Sequence, residues 1–234
     1  MSIVENVARV RERIRLAASG AGRDPESVTL MGVCKTFPAE AIREAYDAGI
    51  RVFGENRVQE FASKADALRD LSAARWHMIG HLQSNKAGTA AELFHAVDSV
   101  DSLKLAEKLN DGARAAGKTL RVLIEVNVGG EAAKSGITPG SSELDRLLTE
   151  APHLGNLEFR GLMTVPPYTE DPQGARPYFR KLRELREQIA DRGLPRVSLD
   201  ELSMGMSHDF EVAIEEGSTC VRVGTAIFGS RTKA

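Results

Sequence analysis

The sequence predicts an α/β fold, a single (β/α)8 TIM barrel with an extra N-terminal helix, on three observations. Short apolar or β-branched runs alternate with helix-like stretches along the chain. Eight such runs can be drawn, enough to close a parallel sheet through right-handed crossovers. The first strand-to-helix turn, Cys34-Lys35-Thr36-Phe37-Pro38, contains no glycine, whereas the alternative, an open doubly wound sheet, needs a Gly-rich fingerprint there. The 234 residues are expected to form one domain, with residues 1–20 as the N-terminal helix and 29–230 as the barrel.

The elements follow in order. Ser2 to Leu16 reads as an amphipathic helix with Ile3, Val7, Val10, Ile14 and Ala17 on one face, opened by a Ser2/Glu5 capping box. Its arginines resemble a transit peptide, but Glu5 and Glu12 interrupt the positive charge and favour a solvated face. The strands are Thr29 to Cys34, Arg51 to Gly54, Arg75 to Ile79, His95 to Val97, Leu120 to Val128, Leu157 to Val165, Val197 to Leu202 and Cys220 to Val223. The intervening helices are Glu40 to Ala48, Val58 to Leu68, Asn85 to Phe94, Leu103 to Ala116, Glu143 to Glu150, Gly174 to Arg192 and Asp209 to Glu216. The sixth of these is clearest, because Phe179, Leu182, Leu185 and Ile189 make an apolar stripe opposite Arg and Glu. Gly49, Gly117 and Gly193 stand where helices end on a left-handed residue.

Composition excludes several classes. The 31 basic and 33 acidic residues are well mixed and leave a net charge of −2, so no nucleic-acid footprint stands out. Cys34 and Cys220 are far apart and outside any Cys/His cluster, which fits a reducing cytoplasm and neither a disulfide framework nor zinc. No apolar run has the length of a membrane span or the form of a secretory signal. Without a long exposed apolar stripe, a monomer is expected. His77 and His81 have the spacing of a helical metal pair but lie on a strand and its exit loop, so no metal site is expected. His95, His153 and His208 have no evident partner.

In a barrel, chemistry sits at the carboxyl ends of the strands, with phosphate commonly held after strands seven and eight. Those places carry Ser203-Met204-Gly205-Met206-Ser207 and Gly224-Thr225-Ala226-Ile227-Phe228-Gly229, small and hydroxyl-bearing enough for backbone N–H groups to approach an anion. Lys35 ends strand one in alternation with Met31 and Val33, in a chain with 9 lysines against 22 arginines. It is either a solvated strand-end residue or an amine able to form a Schiff base with an aldehyde. Arg222 lies inside strand eight, beside strand one when the barrel closes, and must find a partner in the lumen. Glu125 and Asn127 alternate on one side of strand five and can also face the lumen. Gly54-Glu55-Asn56-Arg57 places an amide and charges at the mouth, though a helix cap uses the same residue types.

Several motifs occur in order: Cys34-Lys35-Thr36, Phe53-Gly54-Glu55-Asn56, His77-Met78-Ile79-Gly80-His81-Leu82-Gln83-Ser84-Asn85-Lys86, Lys134-Ser135-Gly136, Gly161-Leu162-Met163-Thr164, Ser203-Met204-Gly205-Met206-Ser207 and Val221-Arg222-Val223-Gly224-Thr225. With them the chain resembles, over nearly all its length, the pyridoxal phosphate homeostasis proteins, which are similar to the barrel domain of bacterial alanine racemase. The resemblance implies a fold type III barrel holding pyridoxal 5′-phosphate (PLP) as a Schiff base on Lys35. It further implies that Arg222 faces the pyridine nitrogen, that Asn56 lines the ring site, and that Ser203, Gly205, Gly224 and Thr225 belong to the phosphate loops. One departure is Phe37, which stands where the family often has a second lysine. Lys134 keeps a family-like setting and is either a secondary PLP contact or a plain loop lysine.

An arginine donor leaves the ring nitrogen unprotonated and the cofactor a weak electron sink. The function implied is therefore PLP buffering and delivery inside the cell, with transient PLP-dependent apoenzyme partners and no catalytic residues. The alternatives are a PLP-dependent amino-acid racemase, with Tyr168 as the tyrosine nearest the mouth, and a phosphosugar-binding barrel enzyme. Racemisation needs a second acid/base group, which racemases take from a further domain.

Overall fold

The computed structural model describes residues 2–131 and 134–229; the expected barrel end at residue 230, and Met1, lie outside them. The chain opens with α1 (Ile3–Gly20), capped as the sequence predicts: the Glu5 N–H donates to Ser2 Oγ at 3.2 Å, and the Ser2 N–H to Glu5 Oε2 at 2.9 Å. There follow β1 (Thr29–Val33), α2 (Ala39–Asp47), β2 (Val52–Glu55), α3 (Val58–Ala65), β3 (Arg75–Met78), α4 (Ala87–Leu93), β4 (Ala96–Val100) and α5 (Leu103–Ala115). The second half contains β5 (Leu120–Glu125), α6 (Ser142–Glu150), β6 (Leu157–Met163), α7 (Arg176–Ala190), β7 (Val197–Met206), α8 (Phe210–Glu215), β8 (Cys220–Val223) and α9 (Thr225–Phe228). The strands form a closed parallel barrel in sequence order, sealed by β1 on β8 from Thr29↔Cys220 to Gly32↔Val223.

The boundaries differ from the sequence reading in instructive ways. β5 stops at Glu125, because the next residues turn to meet Ile137 through a single bridge at Val126. β7 runs four residues further than expected, to Met206, and its register with β8 shifts between Ser203 and Met206. Helical stretches expected as single units begin or end in 3-10 turns at Ser84–Lys86, Asp66–Leu68 and Pro172–Ala175. Gly49, Gly117 and Gly193 all take positive φ, as helix ends on glycine require.

Two apolar layers hold the fold. The outer one packs helices on the barrel wall and contains a chain of aromatic rings. Phe53 lies 5.0 Å from Trp76, Trp76 4.8 Å from Phe61 and Phe61 4.9 Å from Phe94. Each such buried ring contributes about 1.5–3 kcal/mol relative to exposure. The inner layer is the lumen. A Cβ on Gly54 would stand 2.8 Å from both Met31 Sδ and Ile79 Cδ1, so glycine leaves room for those lumen side chains. Outside the barrel, α1 packs on α2, α8 and α9. Its buried Asn6 donates to the Ile227 carbonyl at 2.8 Å, fastening the first helix to the last.

Candidate functional site

Alternation along β1 sets the first group. Met31 pairs in register with Arg222, and Val33 with Gly54, so residues 31 and 33 face the lumen; Lys35, half-buried, follows in the same sense just past the strand. The chain turns there, with the Phe37 N–H donating to the Cys34 carbonyl at 3.1 Å and Thr36 held at φ 67°. That left-handed conformation is uncommon for a β-branched residue.

Arg222 is 4% exposed, and its partners answer the question its place in a strand raises. Nη1 donates to Ser203 Oγ and Nη2 to the Thr164 carbonyl, each at 2.7 Å. The Thr164 hydroxyl donates in turn to the Val126 carbonyl at 2.7 Å, so the exits of β5 and β6 are tied to β7 and β8. Burial pulls the Arg222 pKa down, while Cys220, Asp98, Glu125 and Asp209 act in the opposite sense. Ser203, expected in a phosphate loop, is instead a fully buried strand residue that orients this guanidinium.

The two loops expected to bind an anion meet beside it. Gly205 has φ 92°, and a Cβ there would stand 2.5 Å from Ala213 Cβ and 2.9 Å from Phe210 Cα, so glycine lets β7 end against α8. Asp209 closes that loop by accepting the Met206 N–H at 2.6 Å. Ser207 Oγ accepts the Gly224 N–H at 3.2 Å and the Ala226 N–H at 3.3 Å, joining the loop after β7 to the start of α9, where Thr225 is exposed. The Phe228 ring stacks on Phe37 at 4.9 Å, which brings α9 to the Lys35 turn. Asn56 lies half-buried just past β2, and Gly80 permits its close approach, since a Cβ there would stand 2.4 Å from the Asn56 carbonyl oxygen.

Further polar groups sit at the lumen and mouth. His77, level with Gly54, faces Asp98 with Nδ1 3.1 Å from each carboxylate oxygen, and His81 pairs separately with Asp101. Among the described residues no three potential metal ligands gather. His95 Nδ1 accepts the Trp76 N–H at 3.0 Å, and His208 Nε2 lies 3.1 Å from the Thr169 and Glu170 carbonyls. Tyr168, 78% exposed, has its ring 5.3 Å from that of His208. Lys134 pairs with Glu131 and donates to the Pro166 carbonyl at 3.3 Å, pinning its loop to the one after β6.

Glu125 is buried, with Oε1 accepting from Ser135 at 2.8 Å and Oε2 without a hydrogen-bond partner. Burial pushes its pKa up, with the Ser135 hydroxyl, Arg222 and His81 working against that and Asp101 with it. A carboxyl whose pKa is raised by folding binds its proton more tightly when folded, so stability is lost as pH rises from the ordinary carboxyl range through the raised value. Glu125→Gln is therefore expected to gain about 1 kcal/mol at neutral pH, or about 2–4 °C in Tm, and to gain little at pH 4. Thermal melts of both proteins across that range check it, and an unchanged difference would contradict it.

The sequence reading did not reach Ser207 as an individual contact, nor the buried ion pair of Glu55 with Lys64, whose Oε1 and Nζ are 2.7 Å apart behind the Lys35 turn. Ser207 is the last residue of the Ser203-Met204-Gly205-Met206-Ser207 run, which carries its signal. The nine-residue separation of Glu55 and Lys64 crosses a strand end and a helix and carries no local pattern.

The site stands on a closed eight-stranded parallel barrel, with Lys35 just past β1 and the buried Arg222 in β8. The family model for the alanine racemase N-terminal domain matches residues 6–232. Relatives named pyridoxal phosphate homeostasis protein are 48% identical over 231 residues in Aquifex aeolicus, covering 99% of each chain. In Pseudomonas aeruginosa the identity is 49% over 230 residues, covering 98% of this chain and 96% of the relative. The chain belongs to this pyridoxal phosphate homeostasis protein family. Among solved structures, PipY of Synechococcus elongatus with PLP bound is 38% identical with a TM-score of 0.85, covering 97% of this chain and 100% of that one. Alanine racemase from Streptomyces coelicolor, 23% identical with a TM-score of 0.72, shares the fold over 99% of this chain and 59% of its own.

Proposed function

We propose that this protein binds PLP, with Lys35 as the amine that carries it as a Schiff base, and serves PLP homeostasis by buffering and delivering the cofactor without catalytic turnover. The observation that carries the reading is the convergence of Lys35, Arg222 and the joined loops at one end of the barrel. The donor set fits the group: an amine for an aldehyde, a buried guanidinium for a ring nitrogen, and, for a phosphate ester, the small hydroxyl-bearing loops after β7 and β8 that Ser207 joins.

In this reading Arg222, oriented by Ser203, donates to the ring nitrogen, Asn56 lines the ring, and Gly205, Gly224 and Thr225 hold the ester with Ser207. PLP supplies an electrophilic aldehyde that exchanges between amines. Arg222 cannot give up a proton at ordinary pH, so it withholds the ring protonation on which carbanion chemistry depends. We further propose that residues 1–234 act as one domain, as a cytoplasmic monomer meeting PLP-dependent apoenzymes transiently; basic and acidic residues are mixed along the chain, and no helix among the described residues is long and apolar enough to cross a membrane.

Visible absorption of the purified protein with PLP, before and after borohydride, followed by peptide mass analysis, tests the reading. A reducible yellow adduct on Lys35 is expected. A colourless protein, or a label on another residue, would overturn it. Turnover of α-deuterium into alanine would replace the carrier reading with the racemase.

A further inference from the structure

The Lys35 turn is held by a group of side chains that the proposed binding site does not use. Lys64, on α3, has only 12% of its side chain exposed. Its Nζ lies 3.3 Å from the Cys34 carbonyl and 3.2 Å from the Phe37 carbonyl, the residues on either side of Lys35 and Thr36. One turn earlier on the same helix, Glu60 Oε1 accepts the Thr36 N–H and stands 3.4 Å from the Lys64 ammonium. Glu55, fully buried at the end of β2, anchors that ammonium at 2.7 Å and accepts the Cys34 thiol at 3.1 Å. The turn is therefore gripped at its first residue, at its left-handed Thr36 and at its last residue, all from α3.

We infer that Lys64 and Glu60 are positioning residues for Lys35, holding its turn in the conformation that aims the amine into the barrel mouth. The inference rests on the reading of Lys35 as the amine that carries PLP. A β-branched residue at φ 67°, as Thr36 is, is strained, and such a conformation persists only where its surroundings impose it. Within the turn the Phe37 N–H donates to the Cys34 carbonyl, Phe228 stacks on Phe37 from α9, and the polar contacts to Cys34, Thr36 and Phe37 come from α3. Stability alone accounts poorly for the arrangement, because a buried ion pair can commonly be replaced by apolar side chains without loss. Burial works to lower the Lys64 pKa, but Glu55, with Cys34 and Glu60 in support, raises it on balance, and the ammonium can donate to two carbonyls at once.

Capture of PLP is a condensation in which Lys35 Nζ adds to the aldehyde carbon and the carbonyl oxygen leaves as water with the two amine protons. Its rate depends on where Nζ is held. Noncovalent binding of ring and phosphate does not need that amine. Two variants separate these effects: Glu60→Ala, and the double variant Glu55→Gln/Lys64→Met, which strands no buried charge. For each, the capture rate at Lys35 is measured by absorbance and confirmed by borohydride trapping and peptide mass. The Kd is measured for pyridoxine 5′-phosphate, whose alcohol cannot condense. Capture is expected to slow at least tenfold in both variants while the pyridoxine 5′-phosphate Kd stays within twofold of wild type. Capture within twofold of wild type in Glu60→Ala overturns the inference, and so does an equal loss of capture and alcohol affinity, which would mark general loosening of the site. Failure of wild type to label Lys35 would instead remove the reading on which the inference stands.

Discussion

Lys35→Ala is expected to abolish the borohydride-reducible adduct with PLP while leaving the fold intact. The substitution removes a half-buried polar side chain from a strand exit at the barrel mouth and empties no part of the apolar core. The apo variant should therefore melt within about 1–2 °C of apo wild type, as surface changes away from packed features usually do. Added PLP should raise the Tm of wild type well above that of the variant, because a ligand that binds only the folded state stabilises it by an amount that grows with the logarithm of its concentration over Kd. Thermal melts with and without PLP, together with the visible spectrum, test both halves. An adduct of wild-type yield in Lys35→Ala would show that another amine does the work.

Arg222→Met is expected to have the largest effect on stability. It removes a fully desolvated cation whose two guanidinium nitrogens hold Ser203 and the Thr164 carbonyl, leaving a buried hydroxyl and a buried carbonyl short of donors. It also strips the balancing charge from Glu125 and Asp209, whose pKa values burial already raises. Removing one member of such a buried arrangement costs about 3–5 kcal/mol, which for a chain of this size lowers the Tm by about 10 °C. The sign of the pH dependence follows from those carboxyls. Without Arg222 their folded pKa values rise further, so the deficit should be smallest in acid, where both carry protons, and grow as pH rises. A deficit that is flat with pH would assign the loss to packing instead.

The barrel and the two central residues were legible because they rest on simple periodicity. Strand and helix alternation predicted the closed sheet, and a two-residue repeat placed Met31, Val33 and Lys35 on one side of β1. Closure then predicted that Arg222 would be a neighbour, and Met31↔Arg222 is the observed register. What the sequence concealed was which hydroxyl does what. The run from Ser203 to Ser207 reads as one loop, yet β7 continues through Met206, so Ser203 turns inward to Arg222 and Ser207 reaches the loop after β8. Extra strand length without β-branched residues has no local signal; it comes from pairing with neighbouring strands and from the room that Gly205 leaves α8. The Glu55 and Lys64 pair was hidden for a similar reason, since the two charges meet only when α3 folds back onto the wall.

The seam where β1 meets β8 also fixes when the site can exist. Lys35 is made well before Arg222, and the clasp from Asn6 to Ile227 spans 221 residues. Until those last strands emerge, a nascent chain has the amine but neither its guanidinium neighbour nor the segment that would receive a phosphate. Contacts of such wide separation form late and slowly. A chain cut before β8 would keep Lys35 but lack Arg222 and the strand that closes the barrel on β1.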